Sequence, residues 1–315
     1  GNLGTFSYAS TSRVCAEVLG YDWERCVIER GGTRKHIPFN IGQFGSNTTF
    51  TMSRTNYAAG MAAKDLLLEI AAKVLGGKAE NYKLENEFVV NTSNGSNKIS
   101  FADCAKKAIE MGGKYSGMET PEDINPFTKA AVGGIKGTGL VGVAKDKIPK
   151  TATVPALSAS FIEIELDLET GKYEILDCLG VADCGTVMHP TGLAAQIRSG
   201  AVMGFGLAAT ERHVYDPAYG RPNMKGFYQA KPPSYLDVPV KNGWAAVDKA
   251  DPQSPVGAKG IGEPLQGSAS SALLCAISEA LGGHMFNRTP VVTDMIINAA
   301  AGKPQSHKPM QTNCQ

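Results

Sequence analysis

A single carboxylate, Glu263, sits between Gly262 and Pro264 in the run Lys259-Gly260-Ile261-Gly262-Glu263-Pro264-Leu265-Gln266, which leads straight into a helix-like stretch. Core packing asks for no charged side chain there. Glycines at 257, 260 and 262 open backbone conformations closed to other residues and allow close approach to a ligand. Pro264 fixes the backbone after the carboxylate and biases Glu263 toward an extended conformation. A Glu held in this way could act as a general base, for which placement comes before acidity. The same residues also suit a solvated acid on a loop ahead of a helix, and alone they do not separate the two readings.

A second group with chemical potential is Gln196, with Gly200 and Gly204 following at intervals of four. That spacing puts all three on one face of a helix. The glycines would admit another backbone or a ligand against the helix, with the Gln196 amide on the same side. A close helix–helix contact accounts for them equally well. Other motifs are weaker. Gly134 to Gly142 contains GxGxxG spacing, but no strand precedes it and the order of elements is wrong for a dinucleotide site. The five histidines are isolated, and none pairs with another at metal-ligand spacing.

The composition bounds the setting. The 315 residues can build two subdomains with a substantial core. A net charge of +1 leaves no electrostatic footprint for nucleic acid or for an anionic membrane. Seven scattered cysteines, an odd number without a C-x-x-C pair, argue against a disulfide framework or an iron–sulfur cluster on this chain. With no long apolar run and no signal-peptide pattern, the expected setting is the cytoplasm, away from membranes.

Elements must position these groups. Ser10 to Leu19 reads as a helix ending at Gly20, and Cys26 to Glu29 as a short strand. Gly31 to Gly45 lacks periodicity, with a solvated basic turn at Arg34, Lys35 and His36. Tyr57 to Leu75 has helical spacing and stops at Gly76-Gly77. Residues 79 to 104 suggest short strands with a hairpin at Asn94-Gly95. A Gly-, Pro- and Lys-rich connection spans about 112 to 156. Beyond it, Phe161 to Asp167 alternates as a strand, turns through Glu169 to Lys172, and returns over Tyr173 to Asp177. Helices are expected over Leu193–Thr210 and over Ser268–Leu281, the latter capped by Ser268, with a loop and one strand between Val214 and Asp251. The fold class is α/β (α+β), two mixed subdomains divided as 1–140 and 141–315.

In their order along the chain these motifs resemble the molybdenum hydroxylases, the xanthine dehydrogenase and aldehyde oxidase family. Lys259 to Pro264 is similar to that family's catalytic loop. Asp183-Cys184-Gly185-Thr186-Val187-Met188-His189-Pro190, followed by Gln196 and the glycine-spaced helix, resembles the segment upstream of it. Met52-Ser53-Arg54-Thr55, ahead of the helix containing Gly60, resembles a further cofactor-contacting loop, and Gly4 to Gly20 the segment that opens on a Gly-Gln-Gly cofactor loop. Gly4-Thr5-Phe6 stands where that Gly-Gln-Gly would be, so the loop glutamine is absent or replaced.

The resemblance implies a molybdopterin-binding domain and a hydroxylase that draws its oxygen from water. Glu263 would be its catalytic base. Gln196, Gly4, Thr5, Phe6, Met52, Ser53, Arg54, Thr55, Lys259, Gly260, Ile261 and Gly262 would contact the cofactor, and Tyr8 (with Phe6) would meet substrate. The implied cofactors are molybdenum and molybdopterin, including its cytosine dinucleotide form, with a terminal sulfido or selenido ligand. The pterin, and no protein side chain, would carry the metal. The family's earlier half lies outside this chain, so a split arrangement is expected. Its partners would be a second, larger molybdopterin subunit, an iron–sulfur subunit with [2Fe-2S] clusters, and an FAD subunit. The implied substrate is a small N-heteroaromatic, nicotinate- or purine-like. An aldehyde, a thioester or carbon monoxide is the same-fold alternative, and a non-catalytic assembly subunit the alternative of another class.

Overall fold

Apolar alternation produces the clearest element pair. Strand β4 (Ser158–Leu166) and strand β5 (Tyr173–Ala182) form an antiparallel hairpin with Phe161 opposite Leu179 and Leu166 opposite Tyr173. The turn between them closes because Asp167 accepts backbone N–H bonds from Glu169 and Thr170, and because Gly171 takes φ +66°. A computed structural model of the chain describes residues 2–29, 37–38 and 40–307. The basic turn at Arg34 to His36, and Cys314, lie outside them.

The chain divides into two units: Gly1–Val154 with Ala250–Gly260, and Pro155–Lys249 with Ile261–Gln315. The first unit therefore extends past residue 140 and takes back an eleven-residue return segment from the second half. Sequence adjacency does not show this, because the segment joins the first unit through packing.

The first unit opens on two short helices, α1 (Ser7–Thr11) and α2 (Arg13–Leu19), the latter ending at Gly20 in the left-handed region, where a residue without Cβ meets no penalty. Cys26 to Glu29 forms no strand. Helix α3 (Thr48–Leu75) begins nine residues before the expected start and takes in Met52 to Thr55, which are therefore helical and not a loop. Its Leu66, Leu67, Ile70 and Ala71 are buried against an antiparallel sheet of β1 (Tyr82–Glu85), β2 (Phe88–Asn91) and β3 (Lys98–Ser100), and against helix α4 (Phe101–Met111). The β2–β3 turn carries Asn94-Gly95, and Asn94 Oδ1 accepts from Ser96 N. A short helix, α5 (Pro126–Gly133), interrupts the long connection. Gly142, at the end of the GxGxxG-spaced run, packs on α3: a Cβ there would stand 2.6 Å from Ala63 Cβ. That glycine serves helix packing.

In the second unit, β6 (Asn242–Ala246) adds to β5 in parallel, giving the order β4-β5-β6. Helix α6 (Pro190–Phe205) precedes a single helical turn, α7 (Phe227–Ala230), and helices α8 (Pro264–Ala280) and α9 (Thr293–Ala300) complete the unit. Ala201, Phe205, Ala269, Leu273, Ile277 and Ile296 form its main buried cluster with Cys178. Each unit thus pairs a three-stranded sheet with helices, the mixed α+β class expected. Among the described residues no helix is long and apolar enough to cross a membrane.

Candidate functional site

Glu263 is the N-cap of α8, with Pro264 at the first helical position, where a missing N–H costs nothing. Its backbone lies at φ −114°, ψ −24° and not in the extended region expected before proline. The helix that begins at once with Pro264 draws the preceding residue into its own curvature. Gln266 N donates to the Glu263 carbonyl at 3.0 Å, and the side chain is exposed. A carboxylate here faces the positive end of the helix dipole. Ser268, expected as the cap, lies inside α8, because the helix starts four residues earlier.

The residues leading into this loop are held within the first unit. Gly257, at φ +71°, closes a turn in which Asp251 N donates to the Gly257 carbonyl. Lys259 is buried, with Nζ 3.6 Å from Asp251 Oδ2. Gly260 touches backbone: a Cβ there would fall 1.8 Å from the Ser46 carbonyl oxygen. Glycine at 260 is thus required by the chain's own packing. Ile261 is buried with Ala182, Cys184, Ile197 and Leu265 in the second unit.

Gln196 is half-buried on α6. A Cβ on Gly200 would stand 2.8 Å from Leu265 Cβ, and one on Gly204 would stand 2.6 Å from the Gln266 carbonyl and 2.8 Å from Ser270 N. The glycine face therefore packs α6 on α8, and the two helices run in the same sense across the contact. Gln196, one turn before Gly200 and so about 6 Å along the axis, lies on the side of the loop that carries Glu263. Its neighbour Ile197 packs with Ile261 and Leu265. The start of α6 is capped by His189, whose Nδ1 accepts from Gly192 N at 2.8 Å.

In the 52–55 segment the four side chains differ. Arg54 is buried and holds Asp146 through two nitrogens, at 2.7 and 3.2 Å; it also donates to the Gln253 carbonyl at 2.6 Å and to the Ile148 carbonyl. Four of its five N–H groups are thus engaged within the unit. Thr55 Oγ1 donates to the Met52 carbonyl, and Met52 Sδ accepts from Asn40. Ser53 is fully buried, and its hydroxyl meets no hydrogen-bond partner in the structure, as does that of Ser254.

The Gly4 loop is organised by a residue the sequence did not single out. Gln43 Oε1 accepts from Leu3 N and from Thr5 Oγ1, at 2.8 and 3.1 Å, while its Nε2 donates to Ser7 Oγ at 2.6 Å. Gly4 takes φ +79°, and Phe6 is held in the left-handed region at φ 54°, which is uncommon for a residue with a Cβ. Tyr8, in α1, is half-buried. The signal for Gln43 was its place between Gly42 and Gly45, in a stretch without periodicity.

The profile of the molybdopterin cofactor-binding domain matches residues 2–239. The chain belongs to that family. The resemblance to xanthine dehydrogenases and aldehyde oxidases is thereby borne out for this molybdopterin-binding chain. It is 26% identical over 298 residues to the nicotine 6-hydroxylase large subunit of Paenarthrobacter nicotinovorans, covering 92% of this chain and 33% of that one. It is 25% identical over 275 residues to a putative xanthine dehydrogenase molybdenum-binding subunit of Escherichia coli, covering 86% and 33%. The fold is shared with quinoline 2-oxidoreductase from Pseudomonas putida 86, at TM-score 0.75 and 22% identity over 96% of this chain and 36% of that one. The chain spans about a third of the length of these relatives.

Each unit, taken by itself, carries polar groups of the kind that can hydrogen-bond a pterin. In the first unit the Ser53 and Ser254 hydroxyls are buried polar atoms with hydrogen-bonding capacity left over; in the second, considered by itself, Gln196 carries both amide donors and an acceptor. Arg54 and Lys259 are already committed to Asp146 and Asp251. Among the described residues no group of three or more His, Cys, Asp or Glu side chains converges as a metal site.

Proposed function

We propose that this chain forms part of the molybdopterin site of a multi-subunit molybdenum hydroxylase acting on an N-heteroaromatic substrate, with Glu263 as its general base. The observation that carries this reading is the seating of Glu263 at the start of α8, whose Leu265 packs against Gly200 of α6, the helix that also carries Gln196. Gln196, Ser53, Met52, Thr55 and the Gly4 to Phe6 loop would hold the pterin through amide, hydroxyl and backbone groups. When bound, the molybdenum–pterin group supplies Lewis acidity and a two-electron acceptor. Glu263 would take the proton from the water-derived oxygen onto a carboxylate oxygen as that oxygen attacks an electron-poor carbon. Phe6 and Tyr8 would flank the substrate. The form of the pterin dinucleotide, the sulfido or selenido ligand, and the FAD and iron–sulfur subunits belong to the same proposal, as does a second, larger molybdopterin subunit. Support for partners comes from the relatives, which are themselves named as subunits.

The test is Glu263→Gln in the enzyme purified with its co-purifying subunits, assayed with nicotinate, hypoxanthine and benzaldehyde and a dye acceptor. Turnover of the best substrate should fall at least about a hundredfold, the scale of general-base catalysis, with molybdenum and pterin content unchanged. Near wild-type turnover at full metal content would sink the base. Preference for benzaldehyde over both heteroaromatics would move the substrate to the aldehyde class.

A further inference from the structure

Three serines join the sheet of the second unit to the first turn of α8. Ser158 Oγ donates to the Pro264 carbonyl at 3.0 Å and lies 3.2 Å from Ser268 Oγ. Ser160 Oγ is 2.9 Å from the same Ser268 hydroxyl, which also reaches the Leu265 carbonyl at 3.4 Å. Ser158 and Ser160 are two apart on β4, so both project to the face of the sheet that meets α8. All three are partly buried.

Packing of α8 on β4 needs no polar group here, since apolar clusters flank the contact. Apolar contacts are non-directional, whereas a hydroxyl bonded to one carbonyl fixes rotation and register. The remaining sides of the same turn are closed by missing side chains. A Cβ on Gly180 would fall 2.7 Å from Ile197 Cγ2 and 3.1 Å from Leu265 Cδ1, and one on Gly200 would fall 2.8 Å from Leu265 Cβ. Leu265 is thus held laterally by α6 and β5, while the serines set the turn from the β4 side. Glu263 is the residue immediately before Pro264, and its own carbonyl belongs to this turn through Gln266 N.

We propose that Ser158, Ser160 and Ser268 are positioning residues for Glu263: their hydroxyls fix the first turn of α8 and so the origin of the carboxylate. This rests on the reading of Glu263 as the base.

The experiment uses the holoenzyme and the best substrate of the panel above. Ser158→Ala should lower kcat on the order of tenfold, since small misplacements of a catalytic group are costly. KM should stay within twofold, with molybdenum content and melting midpoint retained. Amide hydrogen exchange should quicken at 265–268 and stay slow in the rest of α8. Ser158→Thr, which keeps the hydroxyl on a strand-favouring residue, should restore kcat. Ser271→Ala, an exposed serine of α8 outside the network, should change nothing. Should Ser158→Ala fail to fold, Ser160→Ala and Ser160→Thr carry the same comparison. Alanine variants with kcat within twofold of wild type, or a loss that tracks loss of molybdenum, overturn the proposal. If Glu263→Gln is inactive in the same preparation, only the positioning role falls; if Glu263→Gln is active, the base falls first.

Discussion

Gly204 of α6 lies directly against the Gln266 carbonyl of α8: a methyl group at 204 would stand 2.6 Å from that oxygen. The contact involves backbone, which cannot swing aside as a side chain can. The two helices therefore approach as closely as they do only because 204, like 200, carries no Cβ.

Gly204→Ala should destabilise the chain by about 1–3 kcal/mol, the range for overpacking a filled interface. Gly267 is the internal comparison. It also lies in α8, but nothing stands within 4 Å of a Cβ there, so Gly267→Ala should stabilise by roughly 0.5–1 kcal/mol. Urea unfolding midpoints of the two variants should move in opposite directions. A shift of the same sign in both would mean that the α6–α8 contact is looser than described.

Arg54 and Asp146 form an ion pair in which the guanidinium is almost wholly buried. Removing one partner strands the other charge, a loss of about 3–5 kcal/mol for a buried pair. Arg54→Met should therefore unfold at markedly lower denaturant, and Asp146→Asn, which keeps shape and one acceptor, should lose less. Limited proteolysis offers a local readout: Arg54→Met should open cleavage near 146–148 and 253, the segments its side chain ties down.

The cysteines should separate by reactivity. Burial pushes the Cys104 thiol up to about 12 and the Cys178 thiol, also beside Asp177, up to about 11. Cys275 is exposed. Because the thiolate is the reactive form, a thiol reagent at pH 8 should label Cys275 in the native protein and reach Cys104 and Cys178 only on unfolding. Peptide mapping before and after denaturant checks this; native-state labelling of Cys104 would contradict the packing of α4.

Acid should weaken the first unit through Glu69. Burial opposes its charge, but hydrogen bonds from Lys114 and Tyr115 outweigh that and hold the carboxyl below its ordinary value. A lowered folded pKa contributes stability that is present above the unfolded carboxylate value, about 4.3. That stability is lost as pH falls through the folded value. The melting midpoint should decline below that range, and Glu69→Gln should flatten the decline. An unchanged acid profile in the variant would assign the decline to other groups.

Much was legible in the residues because it depends on local periodicity or local chemistry. Alternation marked β4 and β5, Gly171 could be placed in their turn, and the spacing of Gln196, Gly200 and Gly204 fixed one face of α6. The order of motifs along the chain was enough to name the family, since each of them lies within a short stretch. Tertiary structure decided what the spacing left open. Whether Gly200 and Gly204 met a ligand or a helix depended on α8, more than sixty residues away, and it is α8 that fills the space. Tertiary structure also decided that the side chains of Arg54 and Lys259 pair with Asp146 and Asp251, distant or merely charged in sequence. Ser158 and Ser160 carried no signal of their own, Gln43 only its place among glycines and Ser268 only that of a helix cap, because a hydroxyl or an amide becomes a positioning group only when folding brings a partner within about 3 Å. Glu263 was visible from its neighbours, Gly262 and Pro264; its seat at the head of α8 was set by packing between elements that sequence proximity does not join.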